Sequence, residues 1–581
     1  MCITEKTRRC IWAILLLTLP LFSYPLAWAL PWNKHLFFWD MVQGCTPAVI
    51  AIAALGAAVA EPRRIMKAWQ SSKVLRFFLI TSLLCSAAAG VQQILYGGLW
   101  ENFFHALFFI SLPWAGIALA PELKRLLPWW CSGLFLFLLW MTVQTPMCTG
   151  FAGNWNWNFS LLAVTLVSIV VLTFRSRWRL IAAGVAVSAG VISVFFFFPE
   201  LAPRGTLAGI IGAAVALGIV MLFKRQERWR YATLGALAAG VLFISAVNSQ
   251  ESASLANARV QLWRGSLQFA LAHTVTGVGP ARFESRIPPF MPPEYFLSDF
   301  PAVRHPHPHN ERLNMWAGFG IAGLLYILMW TVATARQIRR NDPVGLWISW
   351  AFLLLFIHGL FDVLLSTPLA GTLFFLMMGT ICGNGLSGGK VCTPPLRTRY
   401  IAAGALLLLA GIFLCQNLRS GTALRQGRVL LNENRKKEAY GQFIKSLRIS
   451  PNAPACYFAG QTAFFDFKRP VEALFWWKKI NSDLRYPSFL HLNRLLGHAY
   501  DLSGQSALAL HHFEKEAGDF PFSALNAGLR LGCLQKNKGS AEQISGAAAV
   551  FKRLMEMRKL KMEEFPKLLR EPALDDAPLV K

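Results

Sequence analysis

Apolar runs long enough to cross a membrane recur along the chain and exclude an ordinary soluble fold. A helix needs about 20 mostly apolar residues to span a hydrocarbon core roughly 30 Å thick. Thirteen segments approach that length, near 11–31, 39–60, 74–95, 99–120, 126–143, 159–174, 180–198, 206–223, 231–248, 313–334, 345–366, 369–385 and 399–418. The hydrophobic fraction of 55% and the mean hydropathy of +0.42 exceed what a soluble core could bury. We therefore expect an all-α polytopic membrane bundle of about 12–13 spans.

The basic residues fix the expected orientation of these spans. Clusters precede the first span and follow every second span, at Lys6/Arg8/Arg9, Arg63/Arg64/Lys67, Lys124/Arg125, Arg175/Arg177/Arg179, Lys224/Arg225/Arg228, Arg336/Arg339/Arg340 and Lys390/Arg397/Arg399. The alternate short loops hold almost none, Lys34 and Arg204 being the exceptions. This pattern accounts for the net charge of +27 without a nucleic-acid partner. We expect a cytoplasmic N-terminus and, after an odd number of spans, a C-terminal segment outside the bacterial inner membrane.

The N-terminal segment and the cysteines need separate interpretation. The basic start, the apolar run and Ala27-Trp28-Ala29 also fit a cleaved signal peptide in place of the first span. The eleven cysteines show no CxxC pair and no ligand spacing, so neither a disulfide framework nor a metal site is expected from them.

Two segments depart from the bilayer pattern and divide the chain into four parts. Residues 1–248 are expected to form an N-terminal transmembrane bundle, and 249–312 a large Pro-rich loop on the outer, periplasmic face. Residues 313–418 hold the last spans, and 419–581 form a tail without any membrane-length apolar run.

The tail carries a degenerate repeat of 34–36 residues. Ala439, Phe443 and Pro451 recur as Ala473, Trp477 and Pro487 and then as Ala509, Phe513 and Pro521, with Leu496-Gly497 and Tyr500 ahead of the last set. The spacing resembles the tetratricopeptide repeat, a pair of helices per unit; an unrelated helical domain is the alternative. A helical-repeat surface more often binds a partner than performs chemistry, so a protein partner is possible at this tail.

The loop ends in the most informative motif of the chain. A predicted helix, 255–270, carries Arg259 and Arg264, a turn at Gly277-Val278-Gly279-Pro280 follows, and the loop closes with His305-Pro-His307-Pro-His309-Asn310. Nine residues separate Asn310 from Gly320, and Gly323 follows three positions later. This order resembles the signature of the O-antigen ligase and Wzy-type polymerase superfamily, which includes the bacterial O-linked protein-glycosylation ligases. Arg204-Gly205 at the start of span eight and His358-Gly-Leu-Phe-Asp362 in span eleven resemble its polar positions within the membrane.

The resemblance implies a fold and a reaction. It implies a GT-C-like bundle that moves a glycan from an undecaprenyl diphosphate carrier to an acceptor hydroxyl of lipid A-core, another glycan or a protein, without a metal or another cofactor. His309 would remove the hydroxyl proton, and Asp362 would orient His309 or pair with an arginine. Arg204, Arg259 and Arg264 would bind the diphosphate, while Asn310, Gly320, Gly323 and His358 would shape the site. The charge pattern independently brings Arg204, His309 and Asp362 to the same outer face.

Each assignment has a competing interpretation. His305, His307 and His309 alternate along the chain and could bind a metal, although no carboxylate or cysteine accompanies them. Arg204 could anchor a span end by snorkelling, and Arg264 could contact solvent or lipid headgroups. His358 and Asp362 are four residues apart and hence on one helical face, where a structural hydrogen bond between helices is the alternative to catalysis.

Two other classes of function remain open from the sequence. A transporter or flippase of lipid-linked glycans would need polar residues along a path through the spans, whereas here they gather near one face. A non-enzymatic membrane scaffold would act through the tail.

Overall fold

The protein is all-helical in the computed structural model, which describes residues 4–23, 36–96, 101–144, 155–173, 253–279, 282–292, 307–337, 343–362, 367–384, 393–482 and 491–557, with a few isolated positions between them. In chain order the helices are α1 (Glu5–Thr18), α2 (Leu36–Ala60), α3 (Arg63–Ser71), α4 (Lys73–Tyr96), α5 (Glu101–Ala118), α6 (Ala120–Gln144), α7 (Trp155–Thr173), α8 (Ala253–Ala272), α9 (Phe283–Arg286), α10 (Glu311–Phe319), α11 (Ile321–Gln337), α12 (Pro343–His358), α13 (Pro368–Gly383), α14 (Leu396–Asn432), α15 (Lys436–Ile449), α16 (Ala453–Gln461), α17 (Pro470–Ser482), α18 (Leu492–Leu502), α19 (Ser506–Asp519), α20 (Ala524–Lys536) and α21 (Ala541–Met557). The all-α prediction is confirmed.

The chain forms two compact units. The first comprises Met1–Gly90, Phe103–Asn248 and His309–Leu414, and the second comprises Val91–Asn102, Ser249–Pro308 and Cys415–Lys581. The loop and the tail, expected as separate parts, thus belong to the same unit. The predicted spans 180–198, 206–223 and 231–248 lie outside the described residues, apart from position 213.

Helices of membrane length are fewer among the described residues than the thirteen predicted spans. Lys73–Gln92 and Leu396–Phe413 are long and apolar enough, and the pair Ala106–Ala118 and Ala120–Trp140, bent by 103°, could count as a third. Four other predicted spans contain shorter apolar helices, at Pro47–Ala60, Trp157–Ile169, Val344–His358 and Pro368–Gly383.

Helix α13 is the centre of the first unit, since all sixteen of its residues are buried. Phe374 and Phe375 on this helix contact Phe352, Phe108 and Phe109 through ring pairs with centroids 4.8–6.1 Å apart. Glycines allow α5 and α13 to approach each other closely. A Cβ built on Gly116 would lie 2.8 Å from Gly379 Cα, so the α5 and α13 backbones can pack at this distance only with glycine on both.

One end of the first unit holds a cluster of paired charges. Arg9 lies 3.1 Å from Glu5 and 3.6 Å from Glu122, and Tyr400 donates to Glu61 over 2.5 Å. Arg399 donates to the carbonyl of Ala60 over 2.8 Å. These contacts join the starts of α1, α6 and α14 to the end of α2. The basic clusters at these four positions were predicted to share one side of the membrane, and their helix ends are neighbours in the structure.

In the second unit, the loop folds around α8. Phe269 packs against Phe283 and Phe290 with ring centroids 5.6 and 5.2 Å apart, and the turn after the helix has positive φ at Gly277 and Gly279. The prediction of a helix over 255–270 is confirmed by Ala253–Ala272. Helix α19 of the tail is a neighbour of the short 3-10 helix at Pro288–Phe290.

The tail consists of successive packed helices, and its repeated positions are buried. Ala439, Ala473 and Ala509 are fully buried, and each of the aromatic residues four positions later covers a glycine of the preceding helix. The glycine and aromatic pairs are Gly427 with Phe443, Gly460 with Trp477, and Gly497 with Phe513. A Cβ on any of these glycines would collide with the ring, which explains why the spacing is kept. Assignment to the tetratricopeptide family stays a prediction.

Acid should destabilise the tail through His498. Burial, with Arg494 nearby, lowers the pKa of His498 to about 4. Because the folded-state pKa lies below the unfolded value of about 6.5, the unfolded chain binds the proton more readily. The neutral ring's contribution is complete above about pH 6.5 and is lost as the pH falls to about 4, an amplitude of about 3 kcal/mol. Hydrogen exchange of α18 amides, corrected for intrinsic rates, should show weaker protection at pH 4.5 than at pH 7.

A matched pair of variants tests the source of this pH dependence. His498→Phe should remove about half of it, because burial also lowers the pKa of the neighbouring His512 to about 4, and His498→Phe/His512→Phe should remove most of it. Equal protection of α18 at both pH values in the wild type would contradict the assignment.

Candidate functional site

His309 and Asp362 form a hydrogen-bonded pair in the first unit. His309 Nδ1 lies 3.0 Å from Asp362 Oδ1, and the exposed fractions of the two side chains are 30% and 5%. An ionised carboxylate only accepts hydrogen bonds, so with Asp362 ionised this contact places a proton on Nδ1, and in the neutral form of the ring the lone pair is then on Nε2. The pairing thus orients the ring and leaves its basic nitrogen on the side away from the carboxylate.

The backbone at His309 and Asn310 begins the helix that follows. His309 has φ of 47°, in the left-handed region, and Asn310 is extended and caps α10. The Asn310 side chain accepts from the backbone N–H of Arg312 over 2.9 Å and of Leu313 over 3.2 Å. These bonds satisfy two of the first amides of the helix, the usual role of an N-cap asparagine.

The segment 309–312 is bonded residue by residue to the segment 356–362, and we call this contact the junction. Asn310 Nδ2 donates to Leu360 O over 3.0 Å, and Glu311 N donates to Gly359 O over 2.8 Å. Arg312 Nη2 donates to Phe356 O over 2.9 Å. With the His309–Asp362 pair, all four consecutive residues engage the end of α12, so the junction sets the register of the pair.

The expectation that His358 and Asp362 share one helical face is wrong. Span eleven was predicted to run over 345–366, but α12 ends at His358 and residues 359–362 form a turn. The Asp362 N–H still donates to the His358 carbonyl over 3.1 Å, but the side chains have different partners. His358 Nδ1 lies 2.5 Å from Ser160 Oγ on α7, and both residues are fully buried. Gly359, where the chain leaves the helix, permits this separation.

The two glycines of the motif lie where the predicted span ten is interrupted. The sequence predicts one helix over 313–334, whereas the structure has α10 and α11 with a break at Gly320. Gly320 has φ of 62°, which side chains with a Cβ rarely adopt. A Cβ on Gly323 would collide with the carbonyl oxygen of Met315. Both glycines are thus required by backbone geometry.

The three arginines expected to bind diphosphate are not gathered with His309 in the described part of the first unit. Arg204 lies outside the described residues. Arg259 and Arg264 belong to the second unit, where both are exposed on α8 and Arg264 Nη1 lies 3.5 Å from Gln261 Oε1. The described arginine nearest in sequence to the pair is Arg312, which the sequence analysis did not single out.

Among its described residues, the first unit offers fewer ligands at this position than a metal ion commonly has. His309 and Asp362 supply two, while a catalytic zinc site commonly has three protein ligands. Of the other alternating histidines, His305 lies outside the described residues, and His307, which could supply a third ligand, belongs to the second unit. Transfer measured with and without a chelator therefore tests whether a metal ion takes part.

Comparison with known families decides the general class of the chain. Residues 201–328 match the family model described as O-Antigen ligase. This segment is an O-antigen ligase domain. No curated protein and no solved structure matches the chain.

The match agrees with the resemblance seen in the sequence. The match and the apolar helices indicate a membrane protein, and proteins of the matched family in general act on a lipid-linked glycan and an acceptor. The matched segment contains His309, Asn310 and both motif glycines but ends before Asp362. The association of Asp362 with the domain therefore depends on its contact with His309.

Proposed function

We propose that the protein is an inverting glycosyltransferase that moves a glycan from undecaprenyl diphosphate to an acceptor hydroxyl at the periplasmic face of the inner membrane. The observation that supports it best is the His309–Asp362 pair, whose histidine lies in the segment that matches the O-antigen ligase family. A neutral imidazole oriented by a carboxylate is suited to remove a proton from an attacking hydroxyl. No nucleotide or redox cofactor is needed for this step.

The proposed reaction displaces the diphosphate in one step. The acceptor oxygen, losing its proton to His309 Nε2, forms a bond to the anomeric carbon while the bond to the diphosphate oxygen breaks. Attack from the side opposite the leaving group inverts the anomeric centre. Charge develops on the departing diphosphate, and guanidinium groups bind phosphate oxygens bidentately. Arg204, Arg259 and Arg264 are the proposed ligands of that diphosphate.

The orientation in the membrane is part of the proposal. The basic clusters predict a cytoplasmic N-terminus and put the 249–312 loop and the tail on the periplasmic side. The helices of the tail provide a surface on which a protein partner or protein acceptor could bind.

Reconstitution tests the proposed function directly. The purified protein in liposomes containing undecaprenyl-diphosphate-linked glycan should form product with at least one acceptor among lipid A-core, a second glycan unit and a Ser/Thr peptide. The acceptor that works distinguishes ligase, polymerase and protein-glycosylation activity. Transfer should persist in EDTA, and its loss with recovery on adding a divalent cation would establish the metal alternative. Movement of the donor across the bilayer without transfer to any acceptor would favour a flippase, and neither activity would favour a scaffold.

A further inference from the structure

Arg312 is an arginine held inside the junction beside the His309–Asp362 pair. Its Nη2 donates to Phe356 O over 2.9 Å, and its Cζ lies 4.0 Å from the centroid of the Phe356 ring. Its Nη1 is buried and has no hydrogen-bond partner among the residues that the structure describes. The guanidinium thus has one face on a ring and one nitrogen on a carbonyl at the last turn of α12.

The guanidinium lies directly against the turn that carries Asp362. A Cβ built on Gly359 would be 3.2 Å from Arg312 Nη1 and 3.5 Å from Glu311 Cβ. Gly359 is also the residue whose carbonyl accepts from Glu311 N, and it precedes Leu360, whose carbonyl accepts from Asn310. An alanine at 359 would require Arg312 to shift by a few tenths of an ångström, so the guanidinium and the turn are in close contact. The position of the turn decides where Asp362 meets His309.

Burying a guanidinium is costly because the charge leaves water, and a burial of this kind needs compensating contacts. The contacts of Arg312 are to the backbone and ring of Phe356. Binding of a phosphate by arginine uses the fork of two exposed nitrogens, whereas here Nη2 is occupied and Nη1 is buried. The geometry therefore differs from that of Arg259 and Arg264, which are exposed.

We infer that Arg312 is a positioning residue for the transfer reaction, which holds the 359–362 turn so that Asp362 stays bonded to His309. The inference rests on the proposed function and adds to it a residue that acts through the pair. A misplacement of about 1 Å in a catalytic group can lower the rate about 100-fold. Loss of Arg312 should therefore impair the chemical step more than the binding of the donor.

A double-mutant cycle on the full-length protein in liposomes tests this inference. Arg312→Gln should lower kcat for transfer by about 10- to 100-fold, with the KM for the glycan donor changed by about twofold or less. In an Asp362→Asn background the same substitution should have little further effect, because residues that act through one contact are non-additive. Arg312→Lys, which can donate to Phe356 O but cannot stack a planar group, should recover part of the activity.

An activity-independent signal accompanies the cycle. In the wild type, the Nδ1 proton of a histidine bonded to a carboxylate gives a strongly deshielded resonance, assigned to His309 by its loss in His309→Gln. Arg312→Gln should weaken or remove this resonance although both members of the pair are present. An unchanged resonance would overturn the inference whether or not transfer is detected.

Further outcomes separate the inference from the proposed function. A raised KM for the donor with unchanged kcat would make Arg312 a donor-binding residue. If the losses of kcat from Arg312→Gln and Asp362→Asn multiply in the double variant, Arg312 acts independently of the pair. Either result overturns the inference. Suppose that the wild type transfers glycan, His309→Ala does not, and Arg312→Gln transfers as well as the wild type. The inference about Arg312 then fails while the proposed function stands.

A second variant covers the case in which Arg312→Gln does not fold. Gly359→Ala, whose Cβ would lie 3.2 Å from Nη1 and displace it by a few tenths of an ångström, should give the same pattern with a smaller loss of kcat, and Gly133→Ala, at a glycine with open space around its Cβ position, should not.

Discussion

Replacing His309 by alanine is expected to lower glycan transfer by at least about 100-fold and as much as 10,000-fold, the range typical of a lost general base. Two imidazoles lie in the described junction, but His358 is fully buried against Ser160, whereas His309 is 30% exposed and is the one that an acceptor hydroxyl can reach. Product formation in liposomes over a fixed time, with donor and acceptor saturating, measures the effect.

The controls for this variant distinguish chemistry from folding. Asp362→Asn should lower the rate less than His309→Ala, because the imidazole remains but its tautomer and orientation are no longer fixed. His511→Ala, at an exposed position of the tail, should transfer as well as the wild type. Undiminished transfer by a folded His309→Ala protein would refute the proposed mechanism.

Replacing Gly323 by alanine should destabilise the first unit and reduce activity with it. The added Cβ would collide with the Met315 carbonyl oxygen and lie 3.1 Å from Phe319 Cβ, so relief requires α10 and α11 to separate. Overpacking against backbone costs about 1–3 kcal/mol or more. Since Asn310 and the junction lie at the other end of α10, a shift of this helix would also disturb the His309–Asp362 pair.

Gly133→Ala on α6 is the matched control, because no atom lies within 4 Å of its Cβ position. Alanine there should be neutral or stabilise the helix by up to about 1 kcal/mol. Thermal unfolding in detergent compares the two variants. Equal midpoints would show that the α10–α11 contact yields more easily than its geometry indicates.

The sequence was sufficient for features that depend on local pattern. The helix of the loop, the buried alanines and aromatics of the tail, and the two motif glycines follow from periodicity and spacing, which record the faces that helices bury. The sequence left two partners open for the Asp362 carboxylate, His309 and an arginine. His309 was one of them because the charge pattern put both residues at the same face.

Other features of the site were beyond prediction from the sequence. The break at Gly320 and the end of α12 at His358 fall within apolar runs that are indistinguishable from continuous spans by composition. Ser160 and His358 are 198 residues apart, and no local pattern relates them. Arg312 looks like a solvated residue at a helix start, and its burial arises from packing against Phe356, which only the tertiary structure reveals.

The junction has a consequence for how such enzymes can diversify. His309 is bonded within the first unit through Asp362, and the 249–308 loop that precedes it belongs to the second unit. The contacts that orient His309 therefore lie within the first unit, and substitutions in the loop should disturb that orientation less than substitutions in the junction. In the proposed enzyme, the specificity for the sugar or the acceptor can therefore change without loss of the His309–Asp362 pair.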